Sequence, residues 1–151
     1  MNACSKVTSD WGNSIFQTSD GGYIITGATS SIGNGNYDVY LIKTDFLGNL
    51  IWQKTFGGSG WDEGFSIVET VDNGFILAGM TESIGNGDFD LYLIKTNNTG
   101  DLIWVKAFGG PSFEMGNNIK QTADGGFIII GTTASQGQGG ADIWLIKTDK
   151  D

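Results

Sequence analysis

A chain of 151 residues is long enough to bury one core, and its formal charge of −9 sets it against polyanions, so nucleic acid and anionic membrane surfaces are excluded as partners. Its eight cations are all lysine, and without histidine or arginine it has no imidazole base, no imidazole metal ligand and no bidentate phosphate clamp. A single cysteine, Cys4, rules out an intrachain disulfide and a multi-cysteine zinc site, and no apolar run approaches the about 20 residues that span a bilayer.

The opening Met1-Asn2-Ala3-Cys4-Ser5 has the small-residue-then-cysteine ending of a bacterial lipoprotein signal, but no apolar stretch precedes it, and Cys4 reads as a stray N-terminal thiol. From there on the sequence echoes itself every 52 residues, as Ile15, Ile67 and Ile119 show, and likewise Asp20, Asp72 and Asp124, Gly27, Gly79 and Gly131, Asp38, Asp90 and Asp142, and Lys43, Lys95 and Lys147. When residues 12–58 are laid on 64–110 without a gap, well over half of the positions are identical, so each copy meets nearly the same packing environment.

Each copy reads as four short strands, a to d, in an antiparallel meander. Strand a covers about 14–18 and turns through Ser19-Asp20-Gly21-Gly22 into strand b, about 23–29; Asp-Gly supplies the positive φ angles of a tight hairpin. The middle copy has Asp72-Asn73-Gly74 and the third Asp124-Gly125-Gly126, with Asn the best non-glycine substitute. A polar, glycine-rich b–c loop at 30–36 recurs at 82–88 and loosely at 134–140. Strand c, 37–44, is apolar on both faces, with Val39 and Leu41 on one side and Tyr40 and Ile42 on the other, which predicts burial from both sides. Strand d covers about 50–56, and Gly57-Gly58 opens the crossing to the next copy. No helical periodicity appears.

A four-stranded sheet of this length, buried on both faces and repeated without gaps, is what a β-propeller blade requires. The expected fold is therefore all-β, a single propeller-repeat domain over 1–151 with blades at about 10–58, 62–110 and 114–151, the last without its own outer strand. A parallel β-solenoid is the rival, but its coils are shorter and have no hairpin this tight.

The stretch Leu41-Ile42-Lys43-Thr44-Asp45-Phe46-Leu47-Gly48-Asn49-Leu50-Ile51-Trp52, repeated at 93–104, resembles the tryptophan-docking motif of quinoprotein-type propellers. In that motif an Asp, a Gly and a Trp four residues after the Gly lock neighbouring blades together. Gly48 with Trp52 and Gly100 with Trp104 have the spacing; the Asp position is Asp45 and Asp149 but Asn97 in the second copy, and the usual Thr before Gly is found only as Thr99. The repeat as a whole is similar to tandem propeller repeats of secreted and cell-surface proteins of bacteria and archaea, which implies an extracellular or surface location and an architecture, without an activity. The likeness covers docking residues alone and implies no quinone site.

Positions identical in all three copies are explained by architecture. Asp20, Asp38 and their equivalents are expected to fix turns, Trp52 and Trp104 to pack between blades, and Lys43, Lys95 and Lys147 to sit at strand ends with their heads in water. In the b–c loops, Asn34, Asn36, Asn86 and Asp88 lie beside Tyr37 and Phe89, and amides and acids next to exposed rings are the equipment of a sugar site, although the third copy, Gln136 to Ala141, has lost ring and acid. Asp88 and Asp90, at i and i+2 on one strand face, are candidate calcium ligands. No catalytic residue is expected: Asp62-Glu63 and Glu114, the acids that stand apart in the crossings, read as solvated positions. Three blades leave two open edges, so the chain is expected to self-associate as a homodimer that completes a six-bladed ring, or to meet the remaining blades of a longer chain. Residues 3–8 could supply the missing strand, though they do not match 50–58. The functional expectation is a non-enzymatic binding or structural scaffold with a glycan or protein ligand, the alternative being a carbohydrate-binding propeller lectin.

Overall fold

The structure, a computed structural model, describes residues 8–150. Cys4 and most of the stretch considered as an added strand lie outside the described residues. There are eleven strands and no helix among them: β1 Asp10–Gln17, β2 Tyr23–Thr29, β3 Asp38–Thr44, β4 Leu50–Phe56, β5 Asp62–Glu69, β6 Phe75–Thr81, β7 Asp90–Thr96, β8 Leu102–Phe108, β9 Glu114–Gln121, β10 Phe127–Thr133 and β11 Asp142–Thr148. They form three antiparallel meanders, β1-β2-β3-β4, β5-β6-β7-β8 and β9-β10-β11, so the fold is the all-β blade architecture expected of the repeat. With no helix, none of the described residues forms a helix that could cross a membrane.

Strand a starts earlier than its alternation suggests. In β1 the register shifts between Gly12 and Ser14, and in β5 between Gly64 and Ser66, so an extra residue reverses the side-chain parity and conceals the first turn of the strand. Each a–b hairpin closes as its Asp-Gly pattern demands: Gly21 N donates to Thr18 O, and Asp20 Oδ1 accepts from Gly22 N at 2.9 Å. Asn73 holds the left-handed φ of 60° where the other two hairpins place Gly21 and Gly125, both at 83°.

Successive sheets stack face to face. One face of the first sheet, carrying Ile24, Val39 and Leu41, packs on Ile67, Phe75, Leu77 and Ile94 of the second. The opposite face of the second sheet, carrying Ile76, Leu91 and Leu93, packs in the same way on Ile119, Phe127 and Ile129 of the third. In both contacts the leading face of one sheet covers the trailing face of the next. Only the middle sheet is enclosed on both sides, so the two-sided burial expected of strand c holds for β7 and fails for β3, where Val39 and Leu41 are buried but Tyr40 and Ile42 on the uncovered face are only half-buried, and for β11. Leu91 and Leu93 are 0% exposed, whereas their counterparts Ile143 and Leu145 are 83% and 67% exposed.

Close approach of strands a and b explains the most regular glycine. A Cβ at Gly79 would overlap the carbonyl oxygen of Glu63, and one at Gly27 that of Trp11. Gly79→Ala is therefore expected to lower stability by about 2–3 kcal/mol, read as a shifted urea midpoint at constant m. Gly140→Ala, where nothing lies within 4 Å, should stay within about 0.5 kcal/mol of the parent.

Candidate functional site

The b–c loops and blade crossings gather at one end of the sheets, and buried carboxylates fasten them. Asp62 is 0% exposed and accepts from the Thr81 hydroxyl, from Ser83 Oγ at 2.6 Å and from Gly58 N at 2.9 Å. Glu114 does the same work one sheet later with Thr133 Oγ1, Ser135 N and Gly110 N. Burial raises the Glu114 carboxyl, but the donors of Gly110, Ser135 and Thr133 outweigh it and hold the group below the usual glutamate value. Glu63, also buried, accepts from Trp11 Nε1 at 2.6 Å, Asn13 Nδ2 at 2.8 Å and Trp61 Nε1 at 3.1 Å. The expectation that Asp62, Glu63 and Glu114 are solvated is thus corrected: besides the nearby Gly58, Trp61 and Gly110, their donors come from the end of strand b and the loop after it, 19 to 21 residues away, or from the neighbouring sheet, and these are invisible in local spacing.

At this end the structure brings Asn34, Asn36 and Tyr37 together in one loop and Asn86, Asp88 and Phe89 in the next. Asn34 N and Gly35 N donate to Asp38 Oδ2, and Asn86 N and Gly87 N donate to Asp90 Oδ2, so Asp38 and Asp90 fix turns as expected. The four polar side chains are exposed. The two rings are half-buried in an aromatic row: Tyr37 lies 4.8 Å from Trp11 and 4.7 Å from Trp61, Phe89 lies 6.5 Å from Trp61 and 5.8 Å from Phe113. Trp61 and Phe113 were legible only as a 52-residue recurrence of an aromatic before strand a. Of the candidate calcium ligands, Asp88 is exposed and Asp90 is buried with one oxygen spent on the loop amides. Its other oxygen, Oδ1, has no hydrogen-bond partner among the described residues and faces the Cα of Gly109. Among the described residues no three or more Cys, Asp or Glu side chains converge on a common point.

The opposite end carries the a–b hairpins and c–d turns. Lys43 and Lys95, each 5% exposed, do not hold their heads in water as expected. Lys43 Nζ bonds both oxygens of Asp20, the nearer at 2.9 Å, and the Thr44 carbonyl at 3.0 Å; Lys95 repeats this with Asp72 and Thr96. The neighbouring sheet covers the stem, and a buried ammonium then needs all three of its protons bonded. Lys147, on the uncovered third sheet, makes the same bonds to Asp124 but stays exposed. The Thr18 hydroxyl and Lys43 together hold the Asp20 carboxyl down to about 2. In the c–d turns Asp45 Oδ1 accepts from Leu47 N and Asn49 N, and Asn97 Oδ1 accepts equally from Thr99 N and Asp101 N. Only an acceptor oxygen is needed there, which explains why Asn replaces Asp in the second copy. Between sheets, the ring of Trp52 on β4 covers Gly100 in the next c–d turn, with 2.7 Å from its outer carbons to an added Cβ, while the same position at Gly48 is open.

No known protein family matches the chain, and no curated protein sequence matches it.

The carboxyl of Asp20 is depressed from an ordinary 3.8 to about 2 in the fold, so the unfolded chain takes up its proton first as pH falls. The stabilisation it gives is complete above 3.8 and is lost as pH drops through about 2; Asp72 and Asp124 shift in the same direction. Thermal melts across this window should show a falling Tm, and Asp20→Asn should make the fall shallower while lowering the plateau.

Proposed function

We propose that the protein is a non-enzymatic scaffold whose two end faces are covered by blades of the same repeat, supplied by a second copy of the chain. One observation carries this reading. Ile143 and Leu145 on the leading face of the third sheet, and Ile15 on the trailing face of the first at 63% exposed, occupy positions that are 0–2% exposed wherever a neighbouring sheet is present. The chain thus leaves open the two complementary halves of an interface that it builds twice within itself. The trailing face of the first sheet also has an apolar hollow lined by Trp11, Ile25, Tyr40 and Ile42, matched in kind to the leading-face side chains.

The contact of Trp52 with Gly100 supports reading the Gly-x-x-x-Trp spacing as a blade-locking device of the tryptophan-docking kind, and the open Gly48 as a position awaiting such a ring. Burying side chains of the size of Ile143, Leu145 and Ile15 contributes about 1.5–3 kcal/mol each, the gain that is set against the cost of association. The recurring acids are spent on turns and crossings, which supports a structural role for them over a catalytic one.

Light scattering on the purified chain should give a species of twice 16.1 kDa. Leu145→Asp should convert it to a monomer with unchanged β-sheet circular dichroism, because the substituted side chain supports nothing inside its own chain. A wild-type chain that stays monomeric at high concentration overturns the self-association.

A further inference from the structure

At the turn end, the first and second sheets enclose a cleft of about 350 Å³ whose rim is formed by Asp20, Glu69, Asn73 and Asn98, above Lys43 and the ring of Phe75. One repeat further on, the second and third sheets enclose its counterpart of about 250 Å³, with Asp72 and Lys95 above Phe127 in the same places. The Asp–Lys–Phe frame is constant. The residues around it are not: Glu69 becomes Gln121, Asn73 becomes Gly125 and Asn98 becomes Lys150. In a chain where equivalent positions are so often identical, change concentrated around one recurring hollow is what ligand recognition would require and packing would not.

The frame has no bonding capacity left over on Lys43, whose three protons are taken by Asp20 and the Thr44 carbonyl. Glu69 accepts from Ser19 N at 2.7 Å and Ser19 Oγ at 2.9 Å and keeps its remaining lone pairs. The side-chain amides of Asn73 and Asn98 have no partner among the described residues. Asn73 is the telling one: it holds φ 60° where both other hairpins use glycine, so the turn itself has no need of its side chain. What faces the cleft is therefore a mixed array, two amides that each donate and accept, beside carboxylate oxygens that accept. Hydroxyl groups on adjacent carbons, each donor and acceptor at once, complement such an array. A phosphate would meet two carboxylates, and a metal ion would meet amide protons and an ammonium. The volume lies in the small-molecule range of about 300–1,000 Å³.

We propose that this cleft binds a small neutral polyhydroxylated ligand, a pyranose sugar, with Asn73 and Asn98 as its selecting amides. The site goes beyond the scaffold role and is distinct from the loop-end set Asn34, Asn36 and Asn86. It does not depend on ring closure, because both walls belong to one chain.

The test is a titration of the full chain with glucose, galactose, mannose, fucose and N-acetylglucosamine, and with lysine and inorganic phosphate as controls, following the side-chain amide resonances of Asn73 and Asn98 by NMR. Saturable shifts of those two amides are expected with at least one pyranose. Asn73→Gly, which gives the hairpin the residue its two sisters have and so preserves the fold, and Asn98→Ala should each weaken binding about tenfold. Asn34→Ala should leave it unchanged, and Leu145→Asp should bind like the parent whatever its mass. No saturable shift with any of the sugars, preference for lysine or phosphate, or undiminished affinity in Asn73→Gly and Asn98→Ala would each overturn the proposal.

Discussion

A β-sheet with apolar side chains on both faces cannot be stable alone in water, and the rest of this structure depends on that constraint. The second and third sheets each hide the trailing face under the leading face of the one before. Ile24, Val39 and Leu41 perform that service for the second sheet, as Ile76, Leu91 and Leu93 do for the third. The repetition of the sequence is the repetition of this contact, and the exposed Ile143 and Leu145 mark where it has no further sheet to act on.

Stacking alone would leave loops and crossings unanchored, and the polar residues that recur every 52 positions hold them. Asp62 and Glu114 tie the start of strand a to the far end of strand b, Asp38 and Asp90 hold the b–c loops, and Asp20 with Lys43 closes the hairpin end. Asp62, Glu114, Asp38, Asp90 and Lys43 are buried and Asp20 is exposed, and each is bonded, the condition under which polar groups survive in a core; of their buried atoms Asp90 Oδ1 alone is without a partner among the described residues.

Much of the architecture was legible because it is local. The Asp-Gly hairpins, the bounds of β2 and β4 and the blade meander all follow from turn chemistry and alternation within a few residues. Strand a was misread by several residues because an inserted residue after Gly12 breaks the alternation. The burial of Lys43 was missed because its partner lies 23 positions earlier, although the two recur together. The donors on Glu63 come partly from Trp11 and Asn13 of another sheet, 52 and 50 positions away, and no spacing rule reaches that far. The turn-end cleft was invisible for the same reason, since four separate segments form it only after the sheets stack.

Leading and trailing faces are different surfaces, and a sheet therefore cannot stack against a copy of itself turned around. Addition has a polarity, like bricks with a stud side and a socket side. A polar contact of this kind ends in a closed circle only when the turn from one sheet to the next divides a full revolution; any other angle produces an endless filament. In an assembly built on this contact, the angle between neighbouring sheets would act as a counter, setting how many sheets complete the circle.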